Sequence, residues 1–118
     1  MVLNEKEHRL IVGARQPGTL IVLDTQTGKT VAHVPATGFA DDLSYDASRK
    51  RIYMSGGDGF LDVYQEKDPD TYAQIAKIPT REGARTSKWV PEQNRLYVEL
   101  PALKPGDVAE VQVYEAND

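Results

Sequence analysis

Hydrophobic and polar positions follow one another in short blocks along the whole chain. The clearest unit runs from Asp41 to Thr80 and contains four short apolar runs separated by three polar turns. No segment repeats apolar residues at i, i+3, i+4 and i+7 over a helical length, which argues against amphipathic helices. Short β-branched runs between turn residues are typical of strands. The unit is therefore predicted to be a four-stranded antiparallel meander.

The same unit recurs on both sides of this stretch. Arg9, Arg51 and Arg95 each open the second predicted strand of a unit, at spacings of 42 and 44 residues. The position six residues before each arginine holds a large apolar side chain: Leu3, Tyr45 and Trp89. The predicted fourth strands at 31–35 and 75–79 match at a spacing of 44 residues. Four strands in a period of 40–45 residues are typical of a propeller blade.

The predicted fold class is all-β, a partial β-propeller of about three consecutive four-stranded antiparallel blades with 4, 4 and 3 strands. One domain is expected over residues 1–118, with blades at about 1–37, 38–80 and 81–118, and the third blade lacks its outermost strand. Strands covered by blades on both faces need no alternation. Apolar positions predicted to be buried are Leu10, Val12, Leu20, Val22, Ile52, Met54, Leu61, Val63, Leu96, Val98 and Val111. The three repeat arginines are expected to bond a neighbouring turn or a loop carbonyl.

Three sequence segments resemble those of a known protein family. The segments 23–31, 51–54 and 95–98 resemble the YVTN-repeat β-propellers of prokaryotes, in which an R-L-Y-V strand leads to a strand ending in D-T-x-T-G-K-x-V. The order of parts is similar to the C-terminal blades of a seven-bladed member. The chain departs from the pattern at 68–71, where the T-G-K turn is replaced, and at 101–106, where a hairpin is longer and rich in proline. That family includes surface-layer, exported binding and lactonase-like proteins, so the resemblance implies a fold rather than an activity.

Composition narrows the function classes further. The net charge is −4 and the basic residues are scattered, which argues against nucleic acid as a partner. The chain has no run of eighteen apolar residues, so no membrane span is expected, and its N-terminus lacks the apolar core of a signal peptide. The absence of cysteine excludes disulfides and thiolate chemistry but does not identify a compartment.

Candidate ligand-binding residues lie in the loops before the first strand of a blade, near the expected central channel. They are Asp41 and Asp42 in the second blade, and Arg85, Thr86 and Ser87 in the third. One interpretation is a polar or metal-bearing funnel in which Asp41 faces Arg85. The alternative is an ordinary ion pair or an Asx-type turn at a strand entry.

Other polar residues give weaker indications of chemistry. Asp58 precedes Gly59 in a predicted hairpin, where the Asp-Gly pair is typical of turn geometry. The Asp68–Asp70 segment lacks the ligand spacing of a calcium loop and is predicted to be a turn. His8 and His33 fall in a turn and in an outer strand, so neither a two-histidine metal site nor a Ser-His-Asp triad is predicted. No catalytic residue, cofactor or metal ligand is assigned.

Three function hypotheses follow, of which the last is a truncated or engineered fragment with no function of its own. The first is a non-catalytic propeller module, a scaffold for binding or self-assembly, or a fragment of a larger propeller. The second is part of a lactonase-like or dehydrogenase-like enzyme whose active site needs further blades. Three blades leave two apolar faces and an unpaired edge, which favours association. The expected partner is a second copy of the chain, as a homodimer, or the missing blades.

Overall fold

The computed structural model describes residues 1–117, which form eleven strands in three antiparallel sheets. The first sheet contains β1 (Val2–Asn4), β2 (Arg9–Arg15), β3 (Gly18–Asp24) and β4 (Thr30–Pro35). The second contains β5 (Ala40–Asp46), β6 (Arg51–Gly56), β7 (Phe60–Asp68) and β8 (Thr71–Pro79). The third contains β9 (Ser87–Val90), β10 (Arg95–Leu100) and β11 (Glu110–Glu115). The all-β class and the 4, 4 and 3 strand count are confirmed.

Helical structure contributes little to the described part of the chain. A short 3₁₀ helix, Pro91–Gln93, connects β9 to β10. Within residues 1–117 no helix has the length and apolar character needed to cross a bilayer.

The three sheets repeat one another residue by residue. Each repeat arginine is the first residue of the second strand of its sheet. The residue before each arginine has a left-handed backbone, with φ values of 57°, 54° and 59° at His8, Lys50 and Asn94. The large apolar residue of each unit pairs with the residue after the arginine: Leu3 with Leu10, Tyr45 with Ile52, and Trp89 with Leu96. The spacing seen in the sequence is therefore a structural repeat.

The repeat arginines reach toward the next part of the chain. The guanidinium of Arg9 donates to the Pro69 carbonyl at 3.2 Å and lies 2.6 Å from an Asp70 carboxylate oxygen, in the β7–β8 turn of the second sheet. The guanidinium of Arg51 donates to the Gln65 side chain at 3.2 Å and to the Asn117 carbonyl. The predicted bonding is confirmed for these two arginines. Arg95 is exposed, and no fourth sheet follows it within residues 1–117.

Each sheet has two faces that alternate along its strands. The front face of a sheet is defined as the face that contains the residue immediately after the repeat arginine, which is Leu10, Ile52 or Leu96. The opposite face is the back face. Residues opposite one another in adjacent strands share a face, so the pairings assign each strand residue to one of the two.

The sheets stack front to back, with the second sheet in the middle. One core cluster joins the back face of the first sheet to the front face of the second: Ile11, Leu20, Val22, Ile52, Met54 and Tyr64, with Ala40 and Tyr72. The other joins the back face of the second sheet to the front face of the third: Tyr53, Leu61, Val63, Trp89, Leu96, Val98 and Leu100, with Ala84. The rings of Tyr53 and Trp89 lie 5.1 Å apart, so Trp89 packs between the second and third sheets. The second sheet is consequently buried on both faces.

Three of the eleven predicted core residues are not buried. Val111 is 62% exposed, although its repeat equivalents Leu20 and Leu61 are buried. Leu10 and Val12 are half-buried, and Ile11 between them is fully buried instead. The cause is the open stack, because no neighbouring sheet covers the front of the first sheet or the back of the third within residues 1–117.

Truncation of a doubly covered residue should destabilise the fold strongly. Ile52 is fully buried between the first two sheets, so Ile52→Ala is expected to lower the free energy of unfolding by about 2–5 kcal/mol. Val111→Ala, at an exposed position of the repeat, is expected to change it by less than about 0.5 kcal/mol. Urea denaturation of both variants beside the parent chain measures the two effects, and a comparable loss in both would contradict the assignment of faces.

Candidate functional site

The β4–β5 and β8–β9 connections place the predicted funnel residues at one end of the stack. Asp41 makes its ion pair with Arg15 of the first sheet, at 3.7 Å, and both side chains are about half exposed. The guanidinium of Arg15 also lies over the ring of Phe39, whereas Arg85 lies beside the backbone of Gly57. The expected pairing of Asp41 with Arg85 is thus replaced by a pairing with Arg15. An exposed pair of this kind contributes about 0–1 kcal/mol.

Asp42, Arg85 and Ser87 are brought together where β5 approaches β9. The Asp42 amide donates to the Arg85 carbonyl at 3.2 Å, and the Asp42 carboxylate accepts the Ser87 amide at 3.0 Å. Ser55, which sequence reasoning missed, adds a hydroxyl that donates to the Arg85 carbonyl at 3.0 Å and lies 2.7 Å from the Ser87 hydroxyl. These bonds tie the first strands of two adjacent sheets together. Thr86 is exposed, and its carbonyl accepts the amide of Glu99.

The chemistry available at this junction is limited. Ser55 and Ser87 have no imidazole beside them, since His8 lies in the β1–β2 turn and His33 in β4. A serine needs an adjacent base to act as a nucleophile. Within residues 1–117 no group of three or more His, Cys, Asp or Glu side chains is placed to hold a metal ion. The assignment of the five residues to ligand binding stays a prediction.

Asp58 organises the loop beside this junction. One carboxylate oxygen accepts the Gly38 amide at 2.7 Å and the other accepts the Thr37 hydroxyl. These bonds hold the β4–β5 connection, in which Phe39 has a left-handed φ of 56°. The following Gly59 has a φ of 103°, as a tight hairpin requires. Asp58 therefore serves both the hairpin that the sequence predicted and a neighbouring loop.

Asp62 is a buried carboxylate that the sequence reasoning did not single out. It lies on the front face of β7, is fully buried, and accepts the Thr37 amide at 2.7 Å and the Tyr64 hydroxyl at 3.1 Å. An aspartate inside an otherwise apolar strand could have indicated this role from the sequence. A buried charge needs hydrogen-bond donors around it, so such a residue is expected to bond neighbouring groups. One donor, the Thr37 amide, comes from the β4–β5 connection and the other, Tyr64, from β7 itself, so Asp62 fixes that loop against the second sheet.

A buried acidic cluster lies at the end of the strands that is opposite to Asp58 and the β4–β5 connection. Glu66 at the end of β7 is 4% exposed, and its carboxyl accepts the Tyr45 hydroxyl at 3.0 Å. Glu7, in the β1–β2 turn, shares a hydrogen bond with Glu66. Lys50 Nζ lies 3.3 Å from the Glu7 carboxylate and 3.9 Å from that of Glu66. The cluster joins a turn of the first sheet to the second sheet.

The pKa values of the two carboxyl groups in this cluster shift in opposite directions. Burial, and then the hydrogen bond with Glu7, raises the pKa of Glu66 above its usual range. Burial also opposes the charge of Glu7, but hydrogen bonds from Glu66 and Lys50 outweigh it and lower the pKa of Glu7. Of the two carboxyl groups, Glu66 is thus the one that takes up a proton first as the pH falls. The pair joins a turn of the first sheet to the second sheet.

Stability should depend on the protonation of Glu66. Because its pKa is raised in the folded state, the folded chain binds more protons than the unfolded chain above the ordinary value of 4.5. The stabilisation is present below 4.5 and is lost as the pH rises through the folded-state pKa of Glu66. We expect Glu66→Gln, which keeps an acceptor for Tyr45, to flatten this decline in urea denaturation across that window. Glu92→Gln, on the exposed 3₁₀ helix, is the control, and an unchanged slope in Glu66→Gln would contradict the assignment.

The chain was compared with protein-family models, with curated proteins and with solved structures. None of the three comparisons gives a significant match.

Proposed function

We propose that this chain is a non-catalytic β-propeller module, a scaffold that associates with further copies of itself through its two end faces. The observation that carries the proposal is the front-to-back packing that recurs at both sheet junctions. Six repeat positions are buried in the core of both junctions. A surface used twice within one chain is well suited to a third contact of the same kind.

The front face of the first sheet supplies one half of such a contact. Leu10 and Val12 hold the positions of Ile52 and Met54, which are fully buried in the second sheet. Leu3, equivalent to Tyr45 and Trp89, is 52% exposed beside them. Adjacent exposed apolar side chains of this kind usually mark an interaction site.

The back face of the third sheet supplies the other half. Val111 and Val113 are 62% and 49% exposed, and in the second sheet their equivalents Leu61 and Val63 are buried. Tyr97 holds the position of Tyr53, whose ring packs against Trp89. The face thus repeats the apolar positions that accept a following sheet.

Front and back faces differ, so their contact is heterologous, and it closes only when the rotation per sheet completes a circle. Closed propellers typically have about four to eight blades. Two copies of three sheets give six blades, within this range, whereas three copies give nine. A head-to-tail dimer around a two-fold axis is the assembly that the sheet count favours.

Size-exclusion chromatography with light scattering tests the assembly. At micromolar concentration the chain is expected at twice its mass of 13.1 kDa. Leu3→Lys on the front face and Val113→Asp on the back face should each yield a monomer, because each charge would be buried in the contact. Val108→Asp, at a more exposed valine in the β10–β11 connection, should remain dimeric.

A mixture of the two monomeric variants tests the head-to-tail geometry. The unmutated front face of Val113→Asp can meet the unmutated back face of Leu3→Lys, so the mixture should recover a species of two chains. A front-to-front dimer would instead be broken by Leu3→Lys and unaffected by Val113→Asp. A folded monomer of the parent chain, or a mixture that stays monomeric, would contradict the proposal.

A further inference from the structure

The junction between the second and third sheets contains a gap that its counterpart lacks. Within residues 1–117, β11 is the outer strand of a three-stranded sheet, so one of its edges has unpaired amide and carbonyl groups. Beside this edge lies a cavity of about 270 Å³, with Ile75 and Ile78 of β8 on one side and Tyr114 and Ala116 on the other. The gap lies where a fourth strand would complete the third sheet.

The chain itself shows what fills the equivalent space between the first two sheets. There the fourth strand of the second sheet, β8, pairs with β7 and places Tyr72 opposite Glu66. Tyr72 is buried within the core cluster between those sheets. By the repeat, the counterpart of Glu66 is Ala116, which lines the cavity. The cavity is therefore the place of the side chain equivalent to Tyr72.

The exposure of Ile75 also indicates that the gap is the place of a fourth strand. Ile75 is the extra residue at the bulge of β8, and Val31 is the extra residue at the bulge of β4. The strand pairs on either side of these two bulges occupy equivalent positions of the repeat. Val31 packs against the core cluster that contains Tyr72. Ile75 is 48% exposed, because no fourth strand of the third sheet lies over it within the described residues.

Arg51 adds a charge requirement for whatever occupies the gap. Its equivalent, Arg9, binds the Asp70 carboxylate and the Pro69 carbonyl, immediately before β8 begins. Arg51 lines the cavity and donates to the Asn117 carbonyl. A segment that starts with an acidic residue would offer Arg51 the contact that Asp70 offers Arg9.

We infer that this gap binds an extended peptide segment from a separate protein, as an antiparallel strand added to β11. The segment has an acidic residue to meet Arg51, an aromatic residue two positions later to fill the cavity, and apolar residues to cover Ile75. A basic residue near its C-terminal end, where Lys77 stands in β8, suits Glu110, which lies at the corresponding end of the edge strand. Main-chain hydrogen bonds provide affinity, and the side-chain cavity provides selectivity. The inference depends on the sheet junction and not on self-association through the end faces.

A labelled, capped peptide with the sequence of residues 70–79, DTYAQIAKIP, is the probe. Fluorescence anisotropy with the full chain should give saturable binding. Replacing the tyrosine of the peptide with alanine should weaken binding roughly tenfold or more, because a buried aromatic anchor usually carries a large share of the binding free energy. Methylating the peptide amides that face β11 should also abolish binding, because it removes the donors of the added strand. No saturation at roughly millimolar peptide, or equal binding of the tyrosine and alanine peptides, would overturn the inference.

Two chain variants locate the bound peptide. Ile75→Asp, at an exposed residue beside the cavity, should abolish binding. Val113→Asp is the matched control, because it has similar exposure but lies on the back face of β11, away from the cavity. It should keep peptide binding while breaking self-association. Binding that Ile75→Asp leaves intact would mean that the peptide lies elsewhere.

The same probe separates a foreign segment from a second copy of the chain. If the parent chain is dimeric and the peptide binds without changing its mass in light scattering, the gap is free for a separate partner. If the peptide dissociates the dimer, a second copy occupies the gap and the inference of a separate partner is wrong.

Discussion

Front-to-back burial between sheets is the interaction on which the rest of this structure depends. A single meander of four strands has little apolar area of its own to bury, and isolated small sheets are marginal in water. Ile52 and Tyr64 acquire a dry environment from the first sheet, whereas Tyr53 and Leu61 acquire it from the third. The second sheet is thus covered on both faces, whereas each outer sheet is covered on one face only within residues 1–117.

The polar groups of the molecule serve this stacking. Asp58 and Asp62 hold the β4–β5 connection against the second sheet. Ser55 joins β6 to the first strand of the next sheet, and the Glu7–Glu66 pair joins a turn of the first sheet to β7. Buried carboxylates are costly without hydrogen-bond partners. Asp62 and Glu66 each have one partner on the second sheet and one outside it, the Thr37 amide and Glu7 respectively. The polar network therefore fixes how one sheet docks on another.

The two proposals follow from the same constraint at different places. A face that is buried inside the chain is exposed at its ends, as with Val113 on the third sheet and Leu3 on the first, and the proposed self-association would cover it. Tyr72 fills a space between the first and second sheets, and the equivalent space between the second and third sheets is the cavity beside Ile75. A repeat protein thereby contains internal examples of the contacts that its open ends lack.

The sequence by itself determined the strand class, the number of strands and the repeat, because these depend on local periodicity and on turn residues such as Gly59. The similar spacing of Arg9, Arg51 and Arg95 correctly predicted where the second strand of each sheet begins. Tertiary structure alone decided which apolar residues are buried. Val111 has the same local pattern as Leu61, but burial depends on whether a neighbouring sheet covers it. The partner of Asp41 and the roles of Asp62 and Glu66 were likewise decided by distant loops, whose contacts leave no periodic trace in the sequence.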